Sequence, residues 1–197
     1  MSADTTVTFE PGPAVARRTL LLGTRLMLAA NTMLFGAMIF AYLYLRGNNF
    51  NGGWRPAGID DLSGGPMGII LVLQLAGLVA LVLALGAAQR GVSYRAVGAV
   101  AAFLVFASAG ARVWYQYNLG NGWTINNGTY TAVTEMWLGI LFVEIGISFF
   151  WLLSVVLPGP RSASPVIGAR HLRAFTEFWA YMLVASTFVF LLVRLVS

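Results

Sequence analysis

Residues 66–88 read PMGIILVLQLAGLVALVLALGAA, an apolar run in which Gln74 is the only strongly polar side chain. A hydrocarbon core about 30 Å thick is crossed by roughly 20 residues of α-helix, so this run is long enough to span a bilayer. Pro66 suits the first turn of a helix, where its missing backbone N–H costs nothing. The run therefore predicts a transmembrane helix that begins at Pro66 and ends near Ala88.

Four further runs have the same apolar character. The five predicted spans cover residues 19–45, 66–88, 94–117, 130–157 and 174–196. The connections between them are rich in glycine, asparagine, proline or serine and leave no room for a soluble domain. We therefore expect an all-α polytopic membrane protein, with one transmembrane domain of five helices over 19–196 and a cytoplasmic N-terminal segment over 1–18.

Composition supports this class and limits the partners. Hydrophobic residues make up 58% of the chain and charged residues 10%, whereas soluble domains carry about 25% charge. The net charge of +5 comes from arginine alone, with no basic run longer than Arg17-Arg18. Lipid headgroups and membrane topology explain this charge better than a nucleic acid does.

The sequence contains few candidates for metal-binding or catalytic residues. The chain has no cysteine and one histidine, His171, which we interpret as a solvated residue at the membrane interface. One histidine cannot supply the ligands of a haem-and-copper centre, so a redox role would make this chain a partner subunit. Phosphate loops, nucleophile elbows and zinc motifs are not found in the sequence, which disfavours a membrane enzyme. We expect no catalytic, cofactor-binding or metal-binding residues in this chain.

Arginine counting predicts the orientation. The N-terminal side of the bundle holds Arg17, Arg18, Arg90, Arg95, Arg161, Arg170 and Arg173, with Arg25 just inside the first span; the opposite side holds Arg46, Arg55, Arg112 and Arg194. This bias predicts a cytoplasmic N-terminus and an external C-terminus in a bacterial plasma membrane. The aromatic residues expected at the outer interface are Trp54, Trp114, Tyr115, Tyr117 and Trp123.

Small residues mark predicted contacts between helices. They recur at Ala76, Ala80, Ala84 and Ala88, at Ala37 and Ala41, and at Gly139 and Gly146. Small side chains on one face let helix backbones approach closely in lipid. We expect these stripes to pack within the bundle; packing against another chain is the alternative.

Glu144 is the most informative single position, because it lies near the middle of the fourth span. An ionised, unpaired carboxylate there costs several kcal/mol, so Glu144 should be protonated, paired or facing a wet cavity. The functional interpretation is a proton-path or lipid-contact residue. The structural one is a protonated carboxyl group hydrogen-bonded within the bundle, for example to Asn31.

Three further polar residues are candidate intramembrane contacts. Asn31 lies deep in the first span, where an interhelical hydrogen bond would hold it. Glu135 and Glu177 are expected in the first turns of their helices, where the helix dipole favours negative charge. Glu135 and Glu144 are nine residues apart and face opposite sides of their helix, so they do not form a pair of the general acid/base type.

One block of sequence resembles a known family. Residues 33–46 (MLFGAMIFAYLYLR) are followed by Trp54-Arg-Pro56-Ala-Gly58-Ile59 and then by Pro66. This order is similar to subunit III of the haem–copper oxidases, cytochrome c oxidase included: a helix ending in Ala-Tyr, a Trp-Pro-Pro-x-Gly-Ile-like loop, and a proline that opens the next helix. Weaker likenesses lie in residues 130–134 and 175–179.

The resemblance implies a function, and the chain also departs from the family. The family's common form has seven helices, so five resemble its shorter bacterial members. Its intramembrane Ser-Glu pair is matched by Ala30-Asn31, and Trp137 and Ile140 stand near its His-x-x-His positions. The resemblance implies an accessory respiratory-chain subunit without cofactors that packs against subunit I, beside subunit II. Haem and copper are expected in those partners, and bound phospholipid and support of proton uptake would belong to this chain.

Two alternatives remain open at this point. The same fold also serves as an accessory subunit of nitric oxide reductase-type complexes. A small transporter or channel would instead use Asn31, Gln74 and Glu144 as a polar path.

Overall fold

Five membrane-spanning helices form the described part of the chain. The computed structural model describes residues 13–49, 54–56, 59, 64–120, 125–156 and 165–196. These ranges contain α1 (Pro13–Gly47), α2 (Gly64–Gln89), α3 (Arg95–Gly120), α4 (Thr129–Val156) and α5 (Pro165–Val196), with a 3-10 turn at Ile125–Asn127. Each helix holds a segment long and apolar enough to cross a membrane. The predicted five-helix bundle is confirmed, and the chain is a multi-pass membrane protein.

Two helices begin earlier than their apolar segments. α1 begins at Pro13 and α5 at Pro165, whereas the predicted spans began at residues 19 and 174. Proline is favoured in the first turn of a helix, and the polar residues that follow extend each helix beyond its apolar part. Residues 13–18 of the predicted N-terminal segment are therefore helical, and residues 1–12 lie outside the described part.

Four of the helices form a closed ring. α2 packs against α3, α3 against α4, α4 against α5, and α5 returns to α2. α1 lies outside this ring and, among the described elements, packs against α4 and α5. It exposes a broad apolar surface, on which Met33 is 80% exposed.

The turn between α2 and α3 depends on a glycine. The Val92 N–H donates to the Ala87 carbonyl at 3.0 Å, and the Gly91 N–H donates to the Ala88 carbonyl at 3.2 Å. This pattern closes a helix end when the intervening residue has a positive φ, and Gly91 has φ 72°. The short turn makes α2 and α3 antiparallel neighbours.

A tryptophan of α5 forms a hydrogen bond to α2. The Trp179 indole N–H donates to the Gln74 backbone carbonyl at 3.0 Å. A Cβ at Gly77 would lie only 3.3 Å from the same indole nitrogen. Close approach therefore favours glycine here, because a side chain would require a shift of a ring that is held by its own hydrogen bond.

The predicted small-residue stripes differ in outcome. Ala80 and Ala84 are buried in the bundle core, as expected for helix packing within the chain. Ala37 is exposed, and a Cβ at Gly139 or Gly146 would meet no atom within 4 Å. Among the described residues, Ala37, Gly139 and Gly146 therefore do not lie in a close contact between helices, because their spacing defines one helix face but does not determine what packs against it.

We predict that Gly77→Leu destabilises the bundle while Gly68→Leu does not. A leucine at Gly77 must displace the Trp179 indole, at a cost of about 1–3 kcal/mol or more. Gly68 is on the same helix, and a Cβ there meets nothing within 4 Å. Thermal unfolding of both variants in mild detergent measures the difference; equal melting temperatures would contradict the assigned contact.

Candidate functional site

Arg112 lies inside the bundle rather than at its outer flank. Its side chain is 1% exposed, and it stands about 12 Å before the end of α3 at a rise of about 1.5 Å per residue. The assignment of Arg112 to the outer flank is therefore wrong. Trp114 and Tyr117, close to Arg112 on α3, are exposed aromatic residues of the kind found at a membrane interface, whereas Arg112 itself is buried.

A helical pattern could have located Arg112. Ala101, Val105, Ser108 and Arg112 follow one another at spacings of four, three and four residues, and all are buried. This spacing describes a single buried face of α3. An arginine that continues a face of small and apolar residues faces the bundle interior, so the pattern was present in the sequence.

Arg112 meets side chains from two other helices at one hydroxyl group. Its Nη2 donates to Ser186 Oγ on α5 at 3.2 Å, and Gln74 Nε2 on α2 donates to the same oxygen at 3.4 Å. Gln74 and Ser186 are also buried. Polar side chains of α2, α3 and α5 therefore converge at one point within the membrane-spanning region.

Glu144 joins this group from α4. It is buried, and its charge interacts electrostatically with that of Arg112. The two side chains do not form a direct ion pair; within the described part of the chain, the ion pairs join Glu177 to Arg25 and Arg173. We call Gln74, Arg112, Glu144 and Ser186 the polar cluster.

The expected bond between Glu144 and Asn31 is not formed among the described residues. Asn31 is half-buried on α1, which lies outside the ring of four helices, whereas the charge of Glu144 interacts with that of Arg112 on α3. The interpretations of Glu144 as a hydrogen-bonded carboxyl group or as a proton-path or lipid-contact residue stay predictions.

Several polar atoms of the polar cluster are buried without a hydrogen bond. They are Arg112 Nε and Nη1, Gln74 Oε1 and Glu144 Oε2. Leaving such an atom unsatisfied costs about 1–3 kcal/mol each, more for charged groups, and hydrocarbon offers no partner. The cluster thus combines opposite charges with unused donors and acceptors, which is the chemistry of a site for protons, water or a small polar solute.

Polar groups continue from the cluster towards α1. The Tyr181 hydroxyl of α5 interacts electrostatically with Glu144. Thr32 Oγ1 of α1 lies 3.4 Å from the Tyr181 hydroxyl. Polar side chains therefore extend from α2 to the contact between α5 and α1.

The other predicted carboxylates lie away from the polar cluster. Glu177 approaches Arg173 Nε at 3.3 Å and Arg25 Nε at 3.6 Å, which ties α5 to α1. Since α5 begins at Pro165, Glu177 lies well beyond its first turns, and the helix-dipole interpretation of Glu177 is wrong. Glu135 is half-buried near the start of α4, where its interpretation stays a prediction.

A second cluster, formed by aromatic side chains, joins the loop after α1 to α1 and α4. Trp54 packs edge-on against Tyr42 at 5.3 Å and against Tyr130 at 5.9 Å between ring centroids, and Tyr42 stacks on Trp137 at 5.5 Å. We call these four residues the aromatic cluster. Trp54 and Tyr115 are buried, whereas Trp114 and Tyr117 are exposed, and the placement of these residues at the outer interface stays a prediction.

The loop is also fixed against the beginning of α4. A Cβ at Gly128 would lie 3.1 Å from Pro56 Cγ, and Gly128 has φ 126°. Both the close approach and the positive φ favour glycine at this position. Gly58 and Trp123 lie outside the described residues, so the predictions for them are not assessed.

Comparison with known proteins does not assign a family to the chain. No protein-family model matches it, and no curated protein matches it at a significant level. Within the described residues, no group of three or more His, Cys, Asp or Glu side chains is placed to hold a metal ion. The resemblance carried by the residue 33–66 block therefore stays a prediction.

We predict that Arg112 and Glu144 are energetically coupled. Arg112→Met or Glu144→Gln alone leaves a buried charge without its counter-charge, at a cost of about 3–5 kcal/mol. The double variant removes both charges, so its loss of unfolding free energy should be smaller than the sum of the losses in the two single variants. Thermal unfolding of the four proteins in detergent measures the coupling; additive losses would show that the two charges do not interact.

Glu177→Gln is the matched control. Its arginine partners are more than half exposed, so solvent and lipid headgroups screen the pairs and the expected loss is below about 1 kcal/mol. A loss as large as that of Glu144→Gln would mean that the assay responds to any removed carboxylate.

Proposed function

We propose that this chain is a cofactor-free accessory subunit of a haem–copper oxidase, related to subunit III of that family. It would lie in a bacterial plasma membrane, pack against the catalytic subunit I beside subunit II, and support the stability and proton uptake of the complex. Haem and copper would belong to those partners, and phospholipid would be bound by this chain.

The observation that carries the proposal is the structure of the residue 33–66 block. Its helix end contributes Tyr42, and its loop contributes Trp54, whose rings pack edge-on in the aromatic cluster. Pro56 of the same loop approaches Gly128 at the entry of α4. The residues that carry the resemblance therefore contact the rest of the bundle, which supports an inherited structural motif over a chance match.

The position of α1 suits a subunit that docks in the membrane. α1 packs on the ring of α2 to α5 along one side and leaves Leu22, Met33 and Phe40 largely exposed. In a bilayer such a surface is covered by lipid tails or by another membrane helix. In the proposed complex, subunit I and bound phospholipid would share it.

The proposed orientation has a cytoplasmic N-terminus and an external C-terminus. Arg112 no longer counts among the outer flanking charges, because it is buried in the bundle. Its removal from that count strengthens the arginine excess on the N-terminal side, which supports the predicted orientation.

A mild-detergent pull-down of the tagged chain from native membranes tests the proposal. We expect a large multi-span subunit to co-elute and a reduced-minus-oxidised spectrum of the eluate to show haem bands. The haem type would then separate an oxygen-reducing partner from a nitric oxide reductase-type partner. A colourless eluate containing only this chain would refute an accessory role in either complex.

A pair of tryptophan variants tests whether the loop matters for docking. Trp54→Ala removes the centre of the aromatic cluster and should lower the haem recovered per folded tagged chain. Trp114→Ala removes an equally large ring from the exposed face of α3 and should leave the recovery unchanged. Equal haem recovery from both variants would show that the aromatic cluster does not affect partner binding.

The polar cluster supports a second candidate, a small transporter or channel. Gln74 and Glu144 of the proposed polar path converge on Arg112 and Ser186 within the bundle. Buried ionisable residues in membrane helices often mark ion or proton routes. Purified chain in liposomes would then carry proton or solute flux that falls in Glu144→Gln; flux equal to that of empty vesicles would eliminate this candidate.

A further inference from the structure

The polar cluster contains a balanced set of unused hydrogen-bonding atoms. Arg112 Nε and Nη1 are donors, while Gln74 Oε1 and Glu144 Oε2 are acceptors, and all four are buried without a protein partner. We propose that the polar cluster is a water-binding site, in which water molecules join the Arg112 guanidinium to the Glu144 carboxylate and the Gln74 amide. This inference goes beyond the proposed function and holds for a subunit or a transporter alike.

The charges of the site favour a neutral ligand. An arginine side chain stays protonated in proteins, and Glu144 is the acidic residue whose charge interacts with it. As a carboxylate, Glu144 neutralises Arg112, as intramembrane charges commonly do in pairs. An anion bound here would face Glu144 and a cation would face Arg112, so neither sign of ion suits the site.

The hydrogen-bonding pattern favours a ligand that both donates and accepts. Ser186 Oγ already accepts from Arg112 Nη2 and Gln74 Nε2, so its two lone pairs are used and it does not accept from Arg112 Nε or Nη1. Turning the Gln74 amide over would exchange which atom faces Ser186 and leave the other one unpaired. A buried water makes two to four hydrogen bonds, and this matches two donors and two acceptors that lack direct contact.

Solid-state NMR of the full chain in lipid bilayers tests the proposal. Magnetisation is transferred from water protons to the guanidinium nitrogens of protein labelled with ¹⁵N-arginine and ¹⁵N-tryptophan. The Arg112 signals are those lost in Arg112→Lys and shifted in Ser186→Ala, so either variant suffices for assignment. Arg90, exposed at the turn after α2, is the wet reference, and the buried Trp179 indole is the dry one.

We expect the Arg112 Nε signal to build up several-fold faster than the Trp179 indole signal and at a rate near that of Arg90. A build-up as slow as that of the indole would mean that the polar cluster is dry, and the proposal would fail. This measurement uses the unaltered chain, so its result does not depend on whether a variant folds.

A pair of variants tests the role assigned to Glu144. Glu144→Gln keeps an oxygen acceptor of similar size and should retain fast transfer to Arg112. Glu144→Leu removes the acceptor and should slow the transfer. Equal rates in the two variants would show that Glu144 does not hold the water. A haem-free pull-down, by contrast, would refute the proposed oxidase function without affecting this result.

Discussion

The position of Arg112 within the membrane-spanning bundle constrains the rest of the structure. A guanidinium in hydrocarbon needs a counter-charge and hydrogen-bond acceptors from the protein itself, because lipid supplies neither. Glu144 supplies the opposite charge from α4, and Ser186 supplies an acceptor from α5. Since Gln74 of α2 shares that acceptor, side chains from all four helices of the ring meet around one buried arginine.

The apolar pattern predicted the helices because length and hydropathy alone decide what crosses a bilayer. Pro66, expected in the first turn of a helix, lies in the first turn of α2, which begins at Gly64. The early beginnings of α1 and α5 escaped prediction, since polar residues next to the membrane neither favour nor oppose helix in a hydropathy profile. Those extensions follow from the first-turn prolines at Pro13 and Pro165, which are local signals of a different kind.

The polar cluster was only partly predictable from the sequence. Glu144 stood out because no nearby residue explains a carboxylate at mid-span, but the sequence does not say which helix faces it. The assignment of Arg112 to the outer flank rests on its position near the end of the predicted span 94–117, whereas its spacing from Val105 and Ser108 places it on the buried face. The burial of Trp54 likewise depends on a loop that returns onto α4, a tertiary contact that no local pattern reports.

Stability alone does not account for the polar cluster. Replacing a buried ion pair by apolar side chains of similar volume is often neutral or stabilising, because the desolvation of two charges offsets much of their attraction. Trp179 already joins α5 to α2 through its hydrogen bond to the Gln74 backbone carbonyl and its close packing against Gly77. A ring that is held together in this way does not need Arg112 and Glu144 for cohesion. Their presence is better explained by helix register or by the chemistry of a hydrated, charge-neutral site. The unused donors and acceptors favour the hydrated site, because a purely structural pair would satisfy these atoms directly.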